Sequence, residues 1–215
     1  MTNEEKEEFC SLAAALLARP DAALVDDLRQ QGLRARLEAL ADLWRNDGES
    51  LSALSPTQNG EDLLQTLQQE YGRLFDDQDG ERISLVESTY KPWTRDKSCA
   101  MVFAASKGLV MGDPAVHMLD IYEKLSLEVP EEFRSVPDHL VLELEFLGFL
   151  YRSASQEMAD GFIEDHLDWI KDLKGELEKA NPHPFYGNAV HLVDMFLQQE
   201  TRKIKGVDHG EKRIH

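Results

Sequence analysis

Cysteine is nearly absent: the 215 residues hold two, Cys10 and Cys99. They lie far apart and form no CxxC, so a thiolate zinc site and a thiol-exchange motif are both excluded. Each reads as a small packing hydrophobe. No run approaches the ~18–20 consecutive apolar residues that a membrane span requires. Positive charge is scarce. Against 41 Asp+Glu stand 23 Lys+Arg, which leaves a net charge of -18 and a sequence pI near 4.7. Such a surface repels a phosphate backbone, and nucleic acid is excluded as a partner. Four acids, Glu4, Glu5, Glu7 and Glu8, precede the first apolar run. A secretory leader carries the opposite sign there, so a cytoplasmic location is expected.

Enzyme signatures are missing too. The chain has no GxSxG elbow, no GxxxxGK[ST] phosphate loop and no GxGxxG. A bundle di-iron site needs Glu-x-x-His on inward faces, and none of the seven histidines has Glu three residues before it. His139 with Glu143, and His191 with Asp194, stand one helical turn apart and amount to half-sites at best. Neither a metal nor another cofactor is expected, and the chain reads as a non-enzyme.

What is present is helical periodicity almost throughout. Thr2 and Glu5 form a capping-box signature ahead of Phe9, Leu12, Ala13, Leu16 and Leu17 on one face. Pro20-Asp21 starts a second helix to about Gln31, with Gly32 as its stop. A third carries Leu33, Leu37, Leu40 and Trp44 and stops at Gly48. Residues 50–59 read as a loop, and Asn59 caps a helix bearing Leu63, Leu64, Leu67, Tyr71, Leu74 and Phe75. Residues 76–97 are irregular, and loops that long inside a domain are usually functional or mobile; 126–137 is a second irregular stretch. Between them the pattern predicts a helix over 98–110 and another opening at Asp113-Pro114, with proline at the first helical position. From Leu140 to Leu150 the only charges are Glu143 and Glu145. A helix apolar nearly all round is the central one, and its stripe reads on through Tyr151, Ala154 and Met158. One helix is expected from Phe162 to about Lys179, and a last one after Asn181-Pro182-His183-Pro184. The fold class is therefore all-α, a single domain over 1–205 with roughly eight or nine helices. A basic tail, 206–215, is expected to be flexible.

Two segments invite a functional reading. Asp138-His139 follows Pro137 at the N-terminus of the most apolar helix. It reads either as a plain N-cap, worth ~1 kcal/mol, or as a polar pair that recognises an extended basic ligand. Glu143 and Glu145 add to the second reading, because acids in a central helix are costly unless they pair or face a groove. The loop Glu87-Ser-Thr-Tyr90-Lys-Pro-Trp93 places two aromatics outside a regular helix. They either fold back on the core or mark a binding surface.

Several blocks in order carry a resemblance: Tyr71-Gly-Arg-Leu-Phe75, Glu87-Ser-x-Tyr90, Gly112-Asp113, Pro137-Asp138-His139-Leu140 with Glu143-Leu-Glu145-Phe-Leu147, Phe162-Ile-x-x-His166-Leu-x-Trp169, and His183-Pro-Phe-Tyr186. Over about residues 60–200 the chain resembles the TorD/DmsD/NarJ family of redox-enzyme maturation chaperones. The resemblance implies an all-α cytoplasmic non-enzyme. Its partner would be the catalytic subunit of a molybdenum-containing oxidoreductase, bound through a twin-arginine signal peptide or N-terminal tail until the molybdopterin cofactor is inserted. It implies a peptide-binding pocket at Asp138 and His139, with Glu87, Tyr90, Trp93 and Gly112 nearby and Tyr71 and Phe75 contributing. It also allows a monomer or a helix-swapped dimer. A helical adaptor that grips a folded subunit without reading a leader is the alternative.

Overall fold

A computed structural model of the chain describes residues 1–30, 32–41, 60–76 and 82–211. Its helices, in order, are α1 (Asn3–Leu17), α2 (Ala22–Arg29), α3 (Gly32–Ala41), α4 (Gly60–Tyr71) with a π-helical extension Gly72–Asp76, the single turn α5 (Glu87–Tyr90), α6 (Asp113–Lys124), α7 (Leu140–Ser153), α8 (Gln156–His166), α9 (Ile170–Lys179) and α10 (Pro184–Glu211). A 3-10 turn, Glu131–Phe133, breaks the second irregular stretch. No β-strand occurs among the described residues; one isolated antiparallel bridge joins Val86 to His139. The fold is all-α.

The helix starts follow side-chain chemistry. Thr2 accepts a bond from the Glu5 amide while the Glu5 carboxylate accepts one from the Thr2 amide, so two otherwise orphaned donors are satisfied. Asp21 caps α2 through the Leu24 amide. Gly32 does not end that helix; Gln30 is its C-cap, and Gly32 opens α3. Trp44, Gly48, the 50–59 loop and the Asn59 cap lie outside the described residues.

Helix α7 is the axis of the core. Leu140, Leu144 and Leu147 are fully buried along it. Helix α1 packs against it closely because position 148 is glycine: a Cβ there would stand 3.3 Å from the Cys10 Cβ and 3.6 Å from the Glu7 carbonyl oxygen. Phe9 of α1 meets Phe196 of α10 at 4.5 Å between ring centroids. Beneath them Lys6 pairs with the buried Glu200 at 2.5 Å. Burial raises the Cys10 thiol far above its ordinary range, which keeps it an inert packing group.

Three sequence expectations need correction. The α7 stripe ends at Ser153, because Ser155 caps α8 by accepting from the Met158 amide, and Met158 is exposed. The helix expected over Phe162 to Lys179 is two helices with a bend at 167–169 that turns both His166 and Trp169 inward. No helix forms over 98–110. There Trp93 N–H donates to the Ser106 carbonyl and Thr94 N–H to the Ala104 carbonyl, both at 2.9 Å, so the segment folds back on itself. Helices in proteins owe most of their stability to a buried amphipathic face, and Met101, Val102, Phe103, Leu109 and Val110 all point outward. At the other end, α10 continues to Glu211, through the first part of the segment expected as a tail.

Candidate functional site

The backbone brings two distant segments together first. Glu87 N–H donates to the Asp138 carbonyl at 3.0 Å, and Leu140 N–H to the Leu85 carbonyl at 2.8 Å. This two-bond clasp docks the short turn α5 on the N-terminus of α7. Side chains then complete it. The Asp138 Oδ2 atom accepts from the Ser88 amide at 2.7 Å and also from the Ser88 hydroxyl. Asp138 is fully buried, and burial pushes its carboxyl above the usual carboxylate range, with the Ser88 bonds opposing. His139, rather than Asp138, is the N-cap of α7: its Nδ1 accepts from the Val141 amide at 3.2 Å. Desolvation lowers its imidazole to about 4, consistent with the neutral, accepting form.

Behind this clasp lies a buried polar centre drawn from four helices. Glu87 is fully buried and uses its two carboxylate oxygens differently. Oε1 accepts from Lys91 at 2.5 Å, and Oε2 stands 2.8 Å from His166 Nδ1. Lys91 also donates to the Asp165 carbonyl at 2.7 Å and pairs with Asp168 at 2.6 Å. The His166 ring continues outward: its Nε2 lies 2.8 Å from Nδ1 of His117, a residue on the exposed side of α6. Glu143, one turn into α7 and fully buried, accepts from the Trp169 indole at 3.2 Å through Oε2. Burial and the neighbouring Glu87 and Asp138 charges hold its carboxyl well above the usual range.

Tyr90 sits at the edge of this centre. Its ring stacks on Trp169 at 4.9 Å, and its hydroxyl donates to Ser84 and Glu176. Burial and the Glu176 charge raise the phenol well beyond its ordinary value. The next aromatic, Trp93, leads outward and meets Phe103 edge-on at 5.0 Å. Gly112 is buried against it. A Cβ at 112 would fall 2.6 Å from the Trp93 carbonyl oxygen, the same oxygen that accepts from the Asp113 amide at 2.8 Å. The Asp113 carboxylate in turn accepts from Thr94 and from the Arg95 amide. Trp93, Gly112 and Asp113 thus form the base of a loop, residues 94–111, that projects from the body of the protein. Met101, Val102, Phe103, Leu109, Val110 and Met111 are all at least 36% exposed on it, and Val116 on α6 adds to the patch. A monomeric surface rarely leaves so many large apolar side chains together without a partner. At the other end of α6, a cleft of about 210 Å³ is lined by Tyr122, Leu127, Phe146 and Phe149, with Glu128 and Glu145 among its lining residues.

Of the residues the sequence nominates, Glu87, Tyr90, Asp138 and His139 come together, and Trp93 with Gly112 forms the adjoining loop base. Asp138 offers no carboxylate to solvent in this arrangement. Tyr71 and Phe75 pack with Tyr186 in an aromatic cluster at the π extension, with centroids 5.0–6.0 Å apart. Sequence reasoning passes over Ser88, Lys91 and His117 as parts of the centre, and reads 98–110 as a helix. His166 and Trp169 appear in sequence within the Phe162-Ile-x-x-His166-Leu-x-Trp169 block, without being nominated as site residues.

The family model described as nitrate reductase delta subunit matches residues 26–182. Among characterised relatives, the chain is 26% identical over 119 residues to a protein named Chaperone protein TorD from Photobacterium profundum. That match covers 50% of this chain and spans about half, 55%, of the relative. It is also 26% identical over 165 residues to the Chaperone protein TorD of Vibrio cholerae serotype O1 (strain M66-2), covering 70% of this chain and 75% of that one. A third, from Aliivibrio salmonicida (strain LFI1238), is 25% identical over 127 residues, covering 52% and 59%. No described helix is long and apolar enough to cross a membrane. An all-α body, a clasp built from the Glu-Ser-x-Tyr and Pro-Asp-His blocks, and a family match over most of the sequence lead to one placement: the chain belongs to the TorD/NarJ family of redox-enzyme maturation chaperones.

Proposed function

We propose that the protein is a cytoplasmic, non-catalytic chaperone for the catalytic subunit of a molybdenum-containing oxidoreductase. It binds that subunit's twin-arginine signal peptide, or N-terminal tail, while the molybdenum cofactor is inserted. The observation that carries this reading is the exposed apolar loop 94–111 on a body of net charge -18. A twin-arginine leader has a cationic end and an apolar middle. The loop side chains Met101, Val102, Phe103, Leu109 and Val110 bury the apolar middle. Glu128 and Glu145, beside an apolar cleft, suit the stem and head of an arginine, with charge-assisted bonds to the guanidinium. Tyr90, Trp93 and Gly112 set the loop's base, and Glu87, Asp138 and His139 fix the clasp beneath it. Tyr71 and Phe75 support the aromatic cluster on which the α4 end rests.

The test is a titration of a fluorescent leader peptide, followed by anisotropy. The reading expects saturable binding that weakens as salt rises and falls at least tenfold in a Val102→Asp, Phe103→Asp variant. Absence of saturable binding, or equal affinity in the variant, overturns it. A folded client lacking its leader that still co-purifies with the chaperone would instead favour an adaptor that grips the folded subunit.

A further inference from the structure

Three carboxyl groups, Glu87, Asp138 and Glu143, are each 0% exposed in one small region, and Lys91 is the buried ammonium beside them. The local balance is short of two positive charges if all three are ionised, and burying uncompensated charge is costly. The geometry of the shortfall is specific. On Glu87, Lys91 holds Oε1 and leaves Oε2 toward His166. On Glu143, the Trp169 indole holds Oε2, while Oε1 is buried without a hydrogen-bond partner. His166 presents Nδ1 to the same point, with its Nε2 against His117. Ligand atoms of Glu87, Glu143 and His166 lie within 4.8 Å of one another. Each of the three also has a polar atom bonded to a neighbouring group, Lys91 for Glu87, Trp169 for Glu143 and His117 for His166. That is the arrangement by which outer-shell partners aim metal ligands.

We propose that Glu87, Glu143 and His166 form a site for one divalent cation of borderline hardness, such as zinc or manganese. One imidazole nitrogen and two carboxylate oxygens suit such ions. With bonds of ~2.0–2.2 Å, the ligands close inward by a small side-chain movement. A 2+ charge adds to that of Lys91 against the buried carboxyl groups, and it gives Glu143 Oε1 a partner. Lys91, Trp169 and His117 are positioning residues. His117, exposed on α6, marks the side of the centre nearest solvent. The ion's role is structural. It ties α7 to the α5 turn and to the bend after α8, directly behind the base of the apolar loop. The three ligands come from segments far apart in sequence, which is why no spacing motif announces them.

The experiment uses the full chain, stripped with chelator and dialysed against limiting zinc or manganese, with bound metal measured by mass spectrometry. One equivalent is expected to be retained, and Glu143→Gln and His166→Gln are each expected to lower affinity at least tenfold. A control variant, His183→Gln with His191→Gln, is expected to keep the equivalent. Failure to retain either ion overturns the proposal, as does retention in folded Glu143→Gln and His166→Gln proteins. Should those variants not fold, X-ray absorption of the zinc-loaded wild type decides. A shell of nitrogen and oxygen with an imidazole signature upholds the site, and sulfur or an all-oxygen shell overturns it.

Discussion

Among the described residues Lys91 is the one buried cation facing the Glu87 carboxylate, and its removal offers a sharp test of the polar centre. The ammonium lies 2.5 Å from Glu87 Oε1, 2.6 Å from Asp168 and 2.7 Å from the Asp165 carbonyl. Its side chain is 9% exposed and that of Glu87 is 0% exposed. Lys91→Met keeps the apolar stem and deletes only the charge and its donors. Glu87 then remains as a buried carboxylate that has lost its ammonium partner. Breaking a buried pair from one side typically costs about 3–5 kcal/mol. For a protein of this length, 1 kcal/mol moves the thermal midpoint by about 2–4 °C, so a fall of about 6–20 °C is expected. Urea unfolding at neutral pH measures the free energy directly. A second variant, Lys91→Met with Glu87→Gln, removes the stranded charge and is expected to recover at least half of the loss. If the single variant loses less than 1 kcal/mol, or the double variant is no better than the single, the centre is not held together by this charge pairing.

Other perturbations probe the remaining links. Gly112 has extended backbone angles that any residue adopts, φ -79° and ψ -170°, so Gly112→Ala acts by sterics alone. Its Cβ displaces the Trp93 carbonyl and breaks the Asp113 bond, about 1 kcal/mol of local order. Leader affinity should fall about three- to tenfold in an anisotropy titration, while the global urea midpoint barely moves. Gly148→Val forces α1 and α7 apart and should cost about 1–3 kcal/mol by the same denaturation assay. Glu70 accepts from Arg73 and from the His183 amide, and these bonds hold its carboxyl below the ordinary value of 4.5. The folded state therefore binds its proton less readily than the unfolded chain. Its stabilisation is complete above that value and is lost as pH falls below it. Glu70→Gln should flatten this part of the pH–stability curve, and an unchanged acid limb would contradict the assignment.

Much of the architecture is legible from side-chain chemistry close in sequence. Thr2 with Glu5, Asp21, and Asp113-Pro114 each announce a helix start, and the apolar run from Leu140 to Leu150 identifies the central helix. What fails are expectations that depend on partners distant in sequence. The 98–110 segment has helix-compatible residues, yet nothing packs over Met101, Val102 or Phe103, so its carbonyls bond to the amides of Trp93 and Thr94 instead. The break after His166 is not signalled by glycine or proline; it follows from where Trp169 finds Glu143 and Lys91 finds Asp168. Asp138-His139 is legible as a significant pair, but the division of labour between them is not. His139 caps the helix, and Asp138 turns inward to Ser88, a residue fifty positions earlier.

Site-specific photo-crosslinking reaches the central claim most directly. With a photoreactive phenylalanine analogue at position 102, and another at position 171 in the groove between α8, α9 and α10, the protein is irradiated with a twin-arginine leader peptide, and the adducts are mapped by mass spectrometry. The account predicts that position 102 captures the apolar middle of the leader and that position 171 captures little. Capture at position 171 with none at position 102 would contradict it.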